Sequence, residues 1–363
     1  MTLKSHRLFF AAALLLSTAA PLQAQPFRTP PTFDRWSVNC GNSGMCYGSV
    51  FVRDQATWVD IRIIRDWRAD AAPLVRLTTN SVLTAEGTIS LSVDGNEVDA
   101  FPVAQLREIQ STIVAPPGFR PVGGEGFWIP VGPATEALVG AMLTGDVLTV
   151  ELPTETNPTI IKVPLQGTRS ALKWIDQRQL RSGTVSALVT PGDEPAQDAP
   201  HAVPVLSPET LPPSVLSVWD ANRFCSDIDP AIFASLDAVA APLEDKSTLY
   251  LLPCGAPTAY NTPYVAIFAT ADGKARQMYV ARMTEDGPIA SDLIYNAKWF
   301  PVQKQVHGFF KGSGLGECGI WDRWVWTGSN FVLTEEASRQ TCDGTDVPLS
   351  GWTTTWPAVA SKD

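Results

Sequence analysis

Six cysteines behind an apolar leader constrain this chain most: Cys40, Cys46, Cys225, Cys254, Cys318 and Cys342. Lys4 and Arg7 precede an apolar run from Leu8 to Ala20, and the small residue Ala24 follows. A basic start, a short apolar centre and a small-residue end describe a secretory signal peptide over residues 1–24, cleaved near Ala24. The run is shorter than the roughly 20 apolar residues of a spanning helix, and no later run is long enough to cross a bilayer. No cysteine follows the leader directly, which argues against a lipid anchor. An even cysteine count behind an export signal implies disulfides formed in an oxidising compartment. About fifteen pairings are formally possible. The spacing favours neighbours: Cys40 with Cys46, Cys225 with Cys254, Cys318 with Cys342. Zinc is the rival use of cysteine, but it wants C-x₂₋₄-C or histidine clusters, and neither occurs. No metal or cofactor is expected.

Removing the leader takes away two basic residues and no acidic one, so 25 basic residues face 37 acidic ones, a net charge of −12. Such a surface repels phosphate backbones and anionic lipid, so nucleic acid is not an expected partner.

The length suits two domains. Seven of the 23 residues from Pro191 to Pro213 are proline. Proline lacks the N–H that helices and strand ladders use, so this composition describes an extended linker. The expected division is an N-terminal β-rich domain over 25–190, a linker over 191–214 and a Trp-rich β domain over 215–363. The expected fold class is mainly β with a few helices (α+β), in two antiparallel β-rich domains.

In the first domain, alternating sequence predicts strands over 36–40, 47–52, 58–65, 74–79, 88–93 and 97–101. Asp94-Gly95-Asn96 is a hairpin signal. Helices are expected over 133–143, stopped by Gly145, and from Thr168 onward, with strands at 147–152 and 159–163 between them. On the second helix Ala171, Leu172, Ile175 and Gln179 share one face. Asp176, beside Lys173 and Arg178, reads as a solvated or salt-bridged helix residue rather than a catalytic one. In the second domain a helix is expected over 228–243. Strands are expected over 248–253, 263–270, 274–283, 292–295, 302–310, 320–327 and 330–334. Ala271-Asp272-Gly273 marks another hairpin. No fixed short repeat appears, which excludes solenoids and propellers.

The late turn from Lys311 to Gly319 carries four glycines in eight residues, Gly312, Gly314, Gly316 and Gly319. Gly314-Leu315-Gly316-Glu317-Cys318-Gly319 matches the G-x-G-x-x-G of dinucleotide sites. That chemistry needs the glycines between a strand and a helix, and here a Trp- and Val-rich strand pattern follows. Glycine raises the entropy cost of ordering a segment, and a plain hairpin needs only about two to five residues. One reading is an exposed, disulfide-braced tip formed by Lys311, Ser313, Gly314 and Gly316, flanked by Trp321 and Trp324. The other is that the glycines let backbones approach closely inside the domain. In a strand Trp324 and Trp326 share one face and Trp321 takes the other, so at least one of them belongs in a core.

Several motifs together resemble the bacterial family called domain of unknown function 1176. They are Trp36-x-Val38-x-Cys40 with Cys46, and Ala171-Leu172-Lys-Trp174-Ile-Asp176-x-x-Gln179-x-Arg181-x-Gly183-Thr184-x-x-Ala187-Leu188. Leu252-Pro253-Cys254 with Ala259-Tyr260-Asn261, and the late Gly-Leu-Gly-x-Cys-Gly turn with its Trp-x-Trp and Phe-x-Leu, complete the set. The first domain also resembles the invasion-associated locus B family. The resemblance implies a secreted or periplasmic protein of Gram-negative bacteria, and it carries over no catalytic residue. The family pattern has Arg before the second glycine of the late turn and Asp before its Cys. Here those positions are Ser313 and Glu317, so an anion site built on that arginine would be lost.

Three functional classes follow, one of them a purely structural role in the envelope. A binding module of the envelope, with a protein or glycan as partner, suits 12 tryptophans, seven of them after residue 215. The alternative is an envelope hydrolase using carboxylates or His307. Only His201 and His307 remain after the leader, His201 lies in the linker, and no G-x-S-x-G elbow is present.

Overall fold

The computed structural model describes residues 31–357 apart from 120–121, 156 and 222; the leader expected over 1–24 lies outside them. The chain is mainly β, with few helices. In chain order the first half holds β1 (Thr32–Phe33), β2 (Trp36–Cys40), β3 (Cys46–Asp54), β4 (Thr57–Arg65) and β5 (Leu74–Thr79). There follow β6 (Thr88–Val93), β7 (Asn96–Pro102), α1 (Val103–Ile109), β8 (Glu125–Trp128) and α2 (Pro133–Thr144). Last come β9 (Val147–Leu152), β10 (Thr159–Pro164) and α3 (Thr168–Arg178). These strands form a six-stranded sheet, β1-β2-β3-β4-β5-β8, and a four-stranded one, β10-β9-β6-β7.

Both sheets send their apolar rows into one core. Val59, Ile61 and Ile63 of β4 meet Ile89, Leu91, Leu148 and Val150, all nearly inaccessible. Helix α3 closes this core with Ala171, Leu172 and Ile175, each 0% exposed. Burying a side chain the size of Leu172 contributes about 1.5–3 kcal/mol. Gly48 of β3 lies under it: a Cβ there would sit in ordinary contact, 3.7 Å from the Leu172 methyl and 3.6 Å from the Trp36 ring. The helix starts at Gly167, whose φ of +95° and position against the Phe33 carbonyl (a Cβ would lie 1.9 Å from that oxygen) admit only glycine.

The Asp176 carboxylate was expected in solvent, but it is 0% exposed. Its Oδ2 accepts the backbone N–H groups of Leu188 and Val189, both at 2.9 Å. The chain turns back after α3, so the carboxylate meets the returning backbone instead of water. Burial pushes this carboxyl above the ordinary range, while the Val189 N–H and the Arg65 cation oppose that.

The second half holds β11 (Val203–Pro204), α4 (Pro213–Asp220), α5 (Arg223–Ser226), α6 (Pro230–Ser235), β12 (Val239–Pro242), β13 (Thr248–Pro253) and β14 (Pro263–Ala269). It continues with β15 (Ala275–Met278), β16 (Val280–Thr284), β17 (Gly287–Ser291), β18 (Ile294–Tyr295) and β19 (Lys298–Phe300). It ends with β20 (Gln305–Lys311), β21 (Gly319–Trp326), β22 (Phe331–Arg339) and β23 (Thr353–Trp356). One sheet runs β11-β12-β13-β14-β15 with β18 beside β14, a second runs β19 to β23 in order, and β16-β17 is a separate ribbon. Named strands throughout both halves pair antiparallel.

Two expected elements change. The helix expected over 228–243 is only α6, capped by Asp229, which accepts from the Ala231 and Ile232 N–H groups. Its second part is strand β12, because Val239 and Ala241 bury their side chains while their backbone pairs with β13. The strand expected over 274–283 breaks at Tyr279. β15 stays on β14, and β16 leaves to pair with β17.

The disulfides are Cys40–Cys46, Cys225–Cys254 and Cys318–Cys342, and no described cysteine is free. Three disulfides fit an oxidising compartment. No helix among the described residues is long and apolar enough to cross a membrane.

The proline-rich stretch is irregular up to β11, makes a 3-10 turn at Pro208–Thr210, and is tied to the rest of the fold by hydrogen bonds. The Val185 N–H donates to the Glu194 carbonyl at 2.9 Å, and the Ala199 N–H donates to Trp67 O at 2.8 Å. His201 stacks on Trp67 with ring centroids 3.7 Å apart. Elsewhere the halves meet through Asn42, whose N–H donates to Asp237 Oδ2 at 2.7 Å. The Asn42 amide donates to the carbonyls of Asp237 and Ala297 and accepts from the Trp299 N–H. The apolar clusters do not mix: those of the first half end at Val189, and those of the second begin at Ala202. We propose that the halves are two units divided within 191–214.

Three outcomes are expected. Asp176→Ala removes the acceptor of two buried N–H groups and leaves Arg65 without its carboxylate, at a cost of about 3–5 kcal/mol in urea unfolding. Opening Cys225–Cys254, at a sequence separation of 29, costs about 3–4 kcal/mol by loop entropy, and thiol titration of the denatured, unreduced protein finds no free thiol. Asn42→Ala splits calorimetric unfolding into two transitions and speeds proteolysis within 191–198; first cleavage inside 216–356 would count against the two-unit division.

Candidate functional site

The late turn joins β20 to β21. Three of its four glycines are required by the backbone. A Cβ on Gly312 would lie 2.9 and 3.0 Å from the sulfurs of Cys318 and Cys342. Gly316 and Gly319 have φ of +75° and +132°, and a Cβ on Gly319 would strike the Phe310 carbonyl at 2.0 Å. Gly314 meets only the Tyr260 ring, at 3.7 Å. Most of the glycine excess is therefore close packing.

The turn is braced from several sides. Asn261, 5% exposed, donates its amide to Lys311 O and accepts from the Lys311 N–H, both at 2.9 Å. Asn296 donates to Asn261 Oδ1 and to the carbonyls of Tyr260 and Phe309. The Ser313 hydroxyl donates to Glu317, so the two positions that depart from the family pattern bond each other. Glu317 also accepts from the Gly344 N–H, and its carbonyl accepts from Arg339. The Ser313 hydroxyl holds the Glu317 carboxyl below its usual range.

Solvent meets Leu315, 73% exposed, on the turn itself. The Lys311 ammonium lies 5.9 Å from the Phe309 ring. It has no acidic partner among the described residues, and burial lowers its pKa. Trp321 and Trp324 do not flank the tip: they are 1% and 0% exposed. They point to opposite faces of β21, as strand alternation requires, but both faces are covered. Trp321 packs with Phe309, Ala337 and Trp352. Trp324 fills the core between the second half's sheets and donates its ring N–H to Ala281 O at 2.8 Å.

The candidate catalytic groups are occupied by packing. His307 is 4% exposed, between the rings of Phe300 and Trp321. Its hydrogen-bond partner among the described residues is Gln305, at 3.2 Å. Burial, then the cations Arg323 and Arg178, lower its pKa to about 3, so the ring stays neutral near pH 7. Asp322 and Glu336 are cross-strand neighbours, 2% and 1% exposed. Glu336 accepts from the Met283 N–H and the Thr355 hydroxyl, and Arg282 lies 3.5 Å from Asp322. Burial pushes Asp322 well above the ordinary carboxylate range, with Glu336 adding to it. This pair fixes the β16-β17 ribbon and β23 and is closed to substrate. Glu317, Cys318 and Cys342 cluster within 4.8 Å, but both sulfurs are spent in a disulfide. A cavity of about 20 Å³ beside Asn42, Gln179 and Trp299 has room for a single water.

The sequence reading missed Asp60, Arg62 and Arg76, on the outer face of the first sheet. The signal was present: charged residues alternate with Val59, Ile61 and Ile63 on β4.

Comparison with known proteins places these features in a family. The sequence profile described as "Protein of unknown function (DUF1176)" matches residues 31–359. The uncharacterized protein YpfG of Escherichia coli (strain K12) is 29% identical over 210 residues, covering 53% of this chain and 59% of that protein. The chain thus aligns with less than two thirds of that relative's length. The solved structure of invasion associated protein b from Bartonella henselae covers 42% of this chain and 99% of its own, at 21% identity and a TM-score of 0.30. With its profile spanning nearly all of the described residues, the chain belongs to the DUF1176 family of proteins of unknown function.

Proposed function

We propose that this chain is a non-catalytic binding module of the bacterial envelope, periplasmic or secreted, whose late turn contacts an envelope protein. The observation that carries this is Leu315: a large apolar side chain, 73% exposed, on a loop fixed by a disulfide and the Asn261 and Arg339 hydrogen bonds. A loop already held in one conformation loses little entropy on binding, so more of the contact energy appears as affinity. The Tyr260 ring, 39% exposed, lies 3.7 Å from where a Cβ on the adjoining Gly314 would sit. Stacking on a glycan would draw on tryptophan faces, and Trp321 and Trp324 are buried. That favours a protein with a small apolar pocket as the partner. The leader and three disulfides support export.

Leu315→Asp is expected to leave the melting temperature within a few degrees, since exposed substitutions change stability by only about 0.5 kcal/mol. It should lower recovery of a cross-linked partner from envelope extract about tenfold, or 1.4 kcal/mol. Gly314→Ala, facing open space beside Tyr260, should weaken recovery without unfolding. Gly319→Ala should cost about 1–3 kcal/mol from its backbone conformation alone. Equal partner recovery by wild type and Leu315→Asp would sink the proposal.

A further inference from the structure

The outer face of the first sheet carries a row of polar side chains set by register. Ser37 pairs with Ser49, Ser49 with Arg62, Arg62 with Arg76, and Arg76 with Trp128. Two arginines therefore stand side by side on neighbouring strands, where like charges repel. The parallel row holds Phe51, Asp60, Thr78 and Gly126. Arg62 is buried, its Nε donates to Asp60 Oδ1 at 2.7 Å, and its guanidinium lies 4.9 Å from the Tyr47 ring and 5.5 Å from Phe119.

Arg76 is held differently. Its guanidinium lies 4.8 Å from the Trp128 ring. It lies across Gly126, where a Cβ would come within 2.2 Å of Nη2. Gly126 thus forms a cradle that any other residue would fill. The Arg76 Nε is buried without a partner. Gln277 and Gln303 also carry a buried unpartnered atom but are neutral; among charged residues Arg65, Asp176, Asp322 and Arg323 do too, yet each makes another hydrogen bond or ion pair. Arg76 makes none among the described residues. The nearby carboxylate, Asp60, is already bonded to Arg62. Burial, then the neighbouring Arg62 cation, lowers the Arg76 pKa, with Asp60 opposing; burial raises the Asp60 pKa although both arginines oppose that.

An unpartnered buried N–H is destabilising, and the cost rises when the group is charged. Native structures keep such a group where something else completes it. We propose that Arg76, assisted by Arg62, binds a singly charged oxyanion, a carboxylate or a phosphodiester, on the outer face of the first sheet. One uncompensated positive charge calls for one negative charge. The planar guanidinium offers paired N–H donors that fit two oxygens at once. Arg76 is only half-buried, and its Nε is enclosed, so the Nη1/Nη2 edge is the one a small ligand reaches. The rings of Trp128, Tyr47 and Phe119 wall the site and exclude water from one side, which strengthens the contact. The site is separate from the late turn, so neither proposal depends on the other.

The test follows the arginine Nε–Hε NMR signals of the full mature chain, with Arg76 assigned by its loss in Arg76→Lys. Acetate, glucuronate and dimethyl phosphate are titrated against sodium chloride at equal ionic strength. The expected result is a saturable shift of the Arg76 signal and a matching rise in melting temperature with at least one oxyanion. Carboxylates acting alone, or dimethyl phosphate acting alone, names the group preferred. Arg76→Met removes an uncompensated charge, so in chloride it should melt at or above wild type, and it should lose the oxyanion response. Arg76→Lys keeps the charge without the fork and should bind about tenfold more weakly. No oxyanion shift beyond that of chloride would overturn the proposal. So would an Arg76→Met variant that melts several degrees lower and still responds to the oxyanion.

Discussion

Arg181 is the side chain on which most of the first half leans. It is 0% exposed. Its Nη2 donates to the carbonyls of Asp66 and Arg68 at 3.0 and 2.7 Å, and Nη1 donates to Ala69 O and the Ser186 hydroxyl at 3.3 and 2.8 Å. Its Nε donates to Gln179 Oε1 at 3.1 Å. These acceptors lie on the exit of β4 and on the segment after α3, so one guanidinium ties together two backbones distant in sequence. Burying it is costly, and the cost is met because the fork's donors are distributed over fixed acceptors. The neighbouring Arg65, whose cation burial weakens to a pKa of about 10, donates to Ser186 O at 2.7 Å. The family motif Asp176-x-x-Gln179-x-Arg181 is therefore a folding device, and its polar residues hold the chain rather than a substrate.

The same network sets the seating of the second half. Gln179 Nε2 donates to Gly44 O at 2.9 Å, inside the turn closed by Cys40–Cys46. That turn presents Asn42 to Asp237, Ala297 and Trp299. Lys298 adds bonds to Cys40 O and Asp237 Oδ2 at 3.2 and 3.1 Å. A chain of buried hydrogen bonds thus runs from the end of α3, through a disulfide-closed turn, to the start of β19. The first disulfide does more than shorten a loop, because it fixes the shape of the turn that reads the other half.

The strands of the first half were legible because their inward rows alternate: Val59, Ile61 and Ile63 announce β4 regardless of context. The second core was harder to read. Period-2 alternation marks which side chains share a face, but it does not say whether the opposite face is covered. That is why Trp321 and Trp324 read as flanks of an exposed tip and prove to be buried on opposite sides of β21. The Ala-rich stretch after Pro230 satisfied a helical pattern, yet Val239 and Ala241 went to a strand because β13 offered backbone partners. Proline density points to a chain with few ladder bonds of its own, but it carries no information about the carbonyls and rings that bind that chain along the way. The braces of the late turn were written as Ala259-Tyr260-Asn261, far away in sequence. Their meaning appears only when Asn261 is seen acting as a strand partner for Lys311.

Burial alone does not identify function in this molecule, because so many of its charges are buried. Partnership is the better guide. Asp176, Asp237 and Glu336 each accept backbone N–H groups within the fold, and removing any of them leaves a buried donor unmatched. Asp237 and Glu336 are matched within the fold, and Asp176 holds two N–H groups through one oxygen while the other stays enclosed. Leu315 and Arg76 are incomplete in opposite ways. One is an apolar side chain held in water by a rigid turn; the other is a cation held against a tryptophan and a glycine with no counter-charge of its own. An outward strand position and an exposed turn position each tolerate many residues, so neither arrangement is forced by the fold. Arg76 in particular costs stability where methionine would fill the same groove without a charge. A fold that spends its polar residues so completely elsewhere leaves these two positions as the places where binding has the most to gain.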